Sequence, residues 1–108
     1  MKIQIIDCRT SRHEIWEELK CKYSKSLSIE YDSNLSSISI DLLNCNILLL
    51  HVNNHKEVDY YLSNKDNLNF NVIFFGGGIH KKELNDGNWY FPVDEIEKIL
   101  QNIKDYNL

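Results

Sequence analysis

The chain has 108 residues, of which 43% are hydrophobic, and its formal net charge is −4. This length predicts one domain, residues 1–108, with a core large enough to fold without a disulfide or a metal. The negative charge argues against nucleic acid as the main partner. Three cysteines without a CxxC pair are typical of a reducing cytosol, and the longest apolar run, residues 47–50, is too short to cross a membrane. We therefore expect a cytoplasmic protein with neither a nucleic-acid nor a membrane partner.

The first part of the chain alternates between strand and helix patterns. Residues 2–7 are mostly apolar and predict a strand, and residues 11–14 have the serine and glutamate spacing of a capping box. Apolar residues recur every four positions over residues 15–23, which predicts a helix with one buried stripe. Residues 27–32 alternate between apolar and polar side chains and predict a second, half-exposed strand.

Residues 35–44 fit two different structures. Ile38, Ile40 and Leu42 alternate as they would in a strand, and such a strand would pair with residues 27–31 as a hairpin. Ile38 and Leu42 are also four residues apart, as a short helix would need. We favour the helix because the rest of the chain alternates strands with helices.

The central part of the chain predicts two buried strands with a helix between them. Residues 46–52 and residues 71–76 each contain a continuous apolar run, which is typical of parallel strands covered on both faces. Between these strands, residues 54–57 form a second candidate capping box. Apolar residues on one helical face over residues 58–62 then predict a helix.

The last part of the chain predicts a loop, a short strand and a final helix. Residues 76–88 fit a loop with one helical turn around residues 81–84, and residues 89–91 predict a short aromatic strand that ends at Pro92. A third candidate capping box, residues 94–97, begins a helix with an apolar face. The whole alternation predicts a three-layer α/β/α domain with a five-stranded parallel sheet.

At the ends of its strands the sequence resembles the receiver domains of response regulators. Asp7 matches the first of two acids that hold magnesium in that family, and Cys8 stands in the place of the second. His51 stands in the place of the phosphorylated aspartate. Gly76 replaces the hydroxyl residue that senses the phosphoryl group, and Phe91 replaces a lysine that precedes a proline. The resemblance spans the chain in its pattern, whereas among these positions Asp7 alone retains the family's residue.

The resemblance implies an architecture and a loss of activity. It implies the flavodoxin-like strand order 2-1-3-4-5 and a reduced fourth helix, because the segment from Gly76 to Phe91 is short. The missing phosphotransfer positions imply a non-catalytic regulatory or protein-interaction module without a cofactor. A reduced fourth helix would leave the aromatic edge strand, Trp89, Tyr90 and Phe91, uncovered, so we expect a homodimer or a protein partner there.

A second hypothesis assigns the function to a crevice at the carboxyl ends of the strands, where open α/β sheets bind ligands. The three glycines after the last buried strand could cradle a phosphate with their N–H groups, or could form a tight turn that needs positive φ. The protein would then be a small enzyme or a binding protein for an anionic or phosphorylated small molecule. The candidate ligand-binding residues are Asp7, His51, Asn53, Gly76, Gly77, Gly78 and His80.

Patterns for metal or nucleophile chemistry are weaker. His51 and His55 are four residues apart and are candidate metal ligands, and Asp7 or His80 would complete such a site. A strand is expected to end between the two histidines, so they would not share one helical face. We therefore expect polar loop histidines and no metal.

Cys8 lies where phosphate-handling cysteine enzymes place a nucleophile. The arginine spacing of their loop is missing here, which favours a small, buried or half-buried thiol.

Overall fold

A computed structural model describes residues 1–34 and 40–106 of the chain. These residues form one six-stranded sheet and three α-helices. The strands are β1 (Lys2–Ile6), β2 (Ser28–Asp32), β3 (Ile47–His51), β4 (Asn71–Gly76), β5 (Glu83–Asn85) and β6 (Asn88–Pro92). The helices are α1 (His13–Lys22), α2 (His55–Asn64) and α3 (Ile96–Gln101). Within the described ranges, no helix is long and apolar enough to cross a membrane.

The sheet has the order β2-β1-β3-β4-β6-β5, and all neighbouring strands are parallel except β5 and β6. The predicted α/β class with a mostly parallel sheet is therefore confirmed. The predicted strand count and order are wrong, because six strands replace five and an antiparallel strand forms the edge. The added strand arises from a two-residue hairpin turn at Asp86 and Gly87, whose φ angles are 51° and 78°. Two consecutive positive φ angles are typical of the type I′ turn, which suits the twist of a hairpin.

Two apolar clusters cover the two faces of the sheet. On one face, Trp16 of α1 and Ile99 of α3 pack with side chains from the parallel strands, including Phe75. On the opposite face, Tyr61 of α2 packs with Phe74 and with alternate residues of β3. Successive side chains of a strand point to opposite faces, so the fully buried strands β3 and β4 supply both clusters. The result is the three-layer arrangement that the sequence predicts.

Two segments differ from the predicted helices. Of the predicted helix over residues 35–44, residues 35–39 lie outside the described residues. Ile40–Leu42 form a single 3-10 turn, and residues 43–44 have no regular structure, so the helix prediction is wrong for the part that is described. The helical turn predicted around residues 81–84 is wrong, because Glu83–Asn85 form β5. The hairpin turn places these residues beside β6, where their backbone groups form ladder hydrogen bonds in place of helical ones.

The predicted capping boxes do not form, although α2 begins after Asn54 as predicted. Arg12, Asn54 and Glu95 are the N-cap residues of α1, α2 and α3, and none of them makes a side-chain capping hydrogen bond. Short 3-10 turns precede α1 and α3 and displace their starts. The predicted stripe of α1 is also wrong in part, because Ile15 is 50% exposed and Trp16 is buried instead.

Candidate functional site

The carboxyl ends of β1, β3 and β4 lie side by side at one edge of the sheet. Asp7 follows β1 directly, His51 is the last residue of β3, and Gly76 is the last residue of β4. Because β3 pairs with both β1 and β4, these three residues converge although they are far apart in sequence. This edge is where ligands bind in open α/β sheets.

Asp7 is fully buried and accepts hydrogen bonds from three neighbours. The Arg12 guanidinium donates from Nη1 to Oδ1 and Oδ2 of Asp7, at 3.1 and 3.2 Å. The Trp16 indole donates to Oδ2 at 3.0 Å, and the backbone N–H of Arg9 donates to Oδ1 at 3.0 Å. A buried carboxylate needs such partners because its desolvation is costly. The chain therefore neutralises Asp7 with its own residues.

His51 lies beside this carboxylate and has 1% of its surface exposed. Its Nδ1 is 3.8 Å from Oδ1 of Asp7, and its ring packs on Phe75 with centroids 5.3 Å apart. Burial lowers the pKa of His51; the Asp7 charge raises this pKa, while Arg12 and Arg9 lower it further. The net lowering favours a neutral imidazole. His51 ends β3, as predicted, but the prediction of an ordinary polar loop histidine is wrong because its ring is buried.

Cys8 lies at the rim of the same cluster and is exposed. Its Sγ is 3.5 Å from Nδ1 of His51. The Cys8 N–H donates to Oδ1 of Asn54 at 2.9 Å, and Nδ2 of Asn54 donates to the Ser33 carbonyl at 2.9 Å. Asn54 thus connects the loops after β1, β2 and β3. The sequence pattern predicts only a helix cap for Asn54; its place three residues after the end of a buried strand was the signal for a role at this site.

The glycine triplet forms a turn beside these residues. The Ile79 N–H donates to the Gly76 carbonyl at 3.3 Å, which closes the turn. Gly87 is the only glycine with positive φ in the described ranges, so the expected positive φ at the triplet is wrong. Gly76 is required by space instead, because an added Cβ would lie 2.8 Å from Cγ2 of Val52. A Cβ on Gly77 would lie 3.7 Å from Nη2 of Arg12, so that arginine reaches the loop.

The remaining candidates are placed differently. Asn53 and His80 are exposed, as is His55 at the start of α2. The structure therefore brings together Asp7, His51 and the start of the glycine turn. It adds Cys8, Arg12, Trp16 and Asn54 to them.

The predicted aromatic edge is an interior strand. β6 pairs with β4 on one side and with β5 on the other, so Trp89, Tyr90 and Phe91 do not form the edge of the sheet. Phe91 is buried in the core, and the other two side chains are partly buried. The expectation of an uncovered aromatic edge is wrong because β5 pairs with β6 on its outer side.

The chemistry available at the site depends on which groups remain accessible. Asp7, Cys8 and His51 each offer one ligand atom, and these atoms lie within 4.8 Å of one another, so the three residues could hold a metal ion. Within the described residues His51 and Phe91 are both buried, so neither ring is open to solvent at this edge of the sheet. Three surface cavities of about 450, 350 and 300 Å³ lie elsewhere, along β2, beside α2 and beneath the hairpin turn.

No protein-family model matches the chain, and comparisons with curated proteins and with solved structures give no significant match. The family resemblance therefore stays a prediction from the pattern of strands and strand ends. The function must be argued from the site itself.

Proposed function

We propose that this protein is a non-catalytic regulatory or protein-interaction module of receiver-like architecture that does not accept a phosphoryl group. The observation that carries the proposal is the state of Asp7. In a receiver domain an acid at this place holds magnesium, whereas here Arg12 and Trp16 already donate to both oxygens of a buried carboxylate. The Arg12 guanidinium lies 3.1 Å from Oδ1 of Asp7, so it supplies the positive charge that magnesium would otherwise supply.

The residues around Asp7 support the same proposal. Magnesium needs several hard oxygen ligands, and Asp7 is accompanied by a thiol and an imidazole. His51 is 1% exposed, so a phosphate donor has no direct approach to its ring. Gly76 has no hydroxyl, and buried Phe91 has no charge with which to stabilise a phosphorylated product.

The test is incubation with acetyl phosphate and magnesium, followed by intact-mass measurement. We expect no stable gain of a phosphoryl group, because the acceptor position is buried and the magnesium position is neutralised. A receiver domain with intact acids serves as the positive control in the same buffer. A stable gain of one phosphoryl group on His51 or Asp7 would refute this part of the proposal.

For the contacts of the module, we propose pairing of β5 with β5 of a second copy of the chain. β5 is the outer strand of the sheet, so one side of its backbone is without a ladder partner in the described structure. Leu84, at its centre, is 59% exposed. An edge strand with an exposed apolar residue is a template for antiparallel pairing. The expected homodimer interface thus moves from β6 to the strand next to it.

Sedimentation of the wild type and of Leu84→Lys tests this interface. We expect the wild type to form a dimer and the variant to dissociate at the same concentration, because charges opposed across the two-fold axis repel each other. Leu42→Lys is the matched control, since Leu42 is 77% exposed on a different part of the surface. A monomeric wild type, or equal dissociation of both variants, would contradict the proposed pairing.

Binding of a small anion is a second candidate function, favoured by the position of Arg12. Its Nη2 faces the glycine turn, where an anion could meet both a guanidinium and backbone N–H groups. Gly77→Asp would place a carboxylate near Nη2 and block an anion, whereas Gly78→Asp has open space and serves as the control. Titration with inorganic phosphate should show saturable binding that only the first substitution abolishes. The burial of His51 and Phe91 makes this the weaker candidate.

A further inference from the structure

Three side chains of different chemistry meet at the end of β1 and β3. Asp7, Cys8 and His51 each offer one ligand atom, a carboxylate oxygen, a thiol sulfur and a ring nitrogen, and these atoms lie within 4.8 Å of one another. Sγ is 3.5 Å from Nδ1, and Nδ1 is 3.8 Å from Oδ1. One oxygen, one sulfur and one nitrogen are the donor types that bind zinc in proteins.

These distances fit a tetrahedral metal ion. Bonds of about 2.3 Å to sulfur and about 2.0 Å to nitrogen separate the two ligand atoms by about 3.5 Å at a tetrahedral angle. The structure has 3.5 Å between Sγ of Cys8 and Nδ1 of His51. Two bonds of about 2.0 Å require about 3.3 Å between nitrogen and oxygen. The 3.8 Å separation between Nδ1 of His51 and Oδ1 of Asp7 is longer, so metal binding requires these two side chains to move closer together.

Each candidate ligand is held in place by a second contact. The Trp16 indole and the Arg9 N–H bind the oxygens of Asp7, and Asn54 accepts from the Cys8 backbone. The ring of His51 is packed on the core side chain of Phe75. Such outer contacts orient ligands before a metal arrives and strengthen its binding. Cys8 is exposed, so an ion can reach the cluster from solvent on this side.

The charge balance decides which metal can bind. Arg12 lies on Asp7 and opposes an incoming cation, so a site based on carboxylate alone would be weak. Binding through Cys8 forms a metal–sulfur bond and releases the thiol proton to solvent, which adds one negative charge to the ligand set. Thiolate and imidazole ligands favour zinc and related transition metals over magnesium and calcium.

We propose that Asp7, Cys8 and His51 form a binding site for Zn²⁺ or a similar thiophilic divalent cation, with water as the fourth ligand. Metal binding at this site goes beyond the proposed function of the module. It does not depend on the pairing of β5 between two copies of the chain. It differs from the magnesium site of receiver domains in its ligand chemistry, because sulfur and nitrogen stand beside a single carboxylate.

The test is titration of the full-length reduced chain, freed of metal by a chelator, with Co²⁺ as a spectroscopic probe and then with Zn²⁺. We expect one equivalent of Co²⁺ to give tetrahedral d–d bands and a thiolate charge-transfer band, which Zn²⁺ abolishes by displacement. Mg²⁺ at the same concentration should not displace Co²⁺. Loss of a ligand should weaken binding by at least about tenfold, since loss of an outer contact alone has that effect.

Cys8→Ser and His51→Gln are the test variants, and Cys21→Ser is the matched control. Cys21 is a free, exposed cysteine on α1 that lies outside the cluster, so its loss should leave the Co²⁺ spectrum and affinity unchanged. Circular dichroism checks that each variant is folded, and Cys8→Ser is the decisive variant because the side chain is exposed. Wild-type protein that gives no thiolate band, or Cys8→Ser that binds as tightly as wild type, would overturn the proposal. Neither result bears on phosphorylation or on dimerisation, which are measured separately.

Discussion

The buried cluster at Asp7 and the β5–β6 hairpin are stabilised by contacts of different range. At the cluster, Cys8 bonds to Asn54 and His51 lies beside Asp7, so the contacts join loops after different strands. In the hairpin, Glu83–Asn85 pair with residues 88–90, which follow after a two-residue turn formed by Asp86 and Gly87. These contacts are therefore local in the sequence. Asp7 and His51 are buried at the ends of central strands, whereas every residue of β5 is exposed.

This difference predicts where the chain is sensitive to substitution. The cluster contains buried charges and tightly packed side chains, which can adjust only slightly when one residue is replaced. Single substitutions there should therefore be strongly destabilising. The outer strand of the hairpin is exposed to solvent, so substitutions there should change the free energy of unfolding only slightly. Four substitutions or measurements sharpen the comparison.

The largest effect is expected for Asp7→Ala. This change leaves the partly buried Arg12 guanidinium and the buried Trp16 N–H without their acceptor, so we expect a loss of about 3 kcal/mol in the free energy of unfolding. Urea denaturation measures it. Glu30→Gln is the control, because Glu30 forms an exposed ion pair with Lys20 and its loss should leave stability nearly unchanged. Equal effects of the two changes would mean that the cluster does not stabilise the fold.

A smaller effect is expected for Gly76→Ala at the start of the glycine turn. The new Cβ would lie 2.8 Å from Cγ2 of Val52, a stiff β-branched side chain, so overpacking should cost about 1–3 kcal/mol. Gly78→Ala is the matched control because nothing lies within 4 Å of its Cβ position. In thermal unfolding, the midpoint temperature should be lower for Gly76→Ala and unchanged for Gly78→Ala. A Gly76→Ala variant as stable as wild type would contradict the close approach between Gly76 and Val52.

The hairpin turn should be less sensitive. Gly87 has a φ of 78°, and Gly87→Ala should destabilise by about 1 kcal/mol because a Cβ disfavours the left-handed region. Gly87→Asn should recover most of the loss, since asparagine tolerates this conformation. Chemical denaturation of both variants beside wild type distinguishes a strained turn from a general loss of packing. An alanine variant as stable as wild type would argue against the positive φ.

The smallest effect concerns thiol reactivity, which compares the partly buried Cys45 with the exposed cysteines. Burial raises the pKa of the Cys45 thiol from 9.0 to about 11, so at mildly alkaline pH it should react with iodoacetamide more slowly than Cys21. Peptide mapping after timed labelling measures the order. Between pH 9 and pH 11 the folded Cys45 keeps its proton while the unfolded chain loses it, so its contribution to stability falls as pH rises. Labelling of Cys45 as fast as Cys21 would contradict the burial.

Part of the candidate site could be predicted from local pattern. The buried runs that form β3 and β4 and the residues at their ends, His51 and Gly76, are readable because parallel central strands are continuously apolar. The ion pair between Asp7 and Arg12 was not predicted, because it depends on how the 3-10 turn before α1 returns the arginine to the strand end. Asn54 was missed for a similar reason, since its amide bonds across loops in place of capping its own helix.

By itself, the sequence determined the α/β class, the positions of the parallel strands and the apolar face of the last helix, because these follow from periodicities within short windows. The Asp86-Gly87 dipeptide also carried the hairpin signal locally, although it was not used. Only the tertiary structure decided that β5 covers β6 and that Asp7, Cys8 and His51 meet around one point. Those contacts depend on strand order and loop geometry, and the energies that select them act between residues that are remote in the chain.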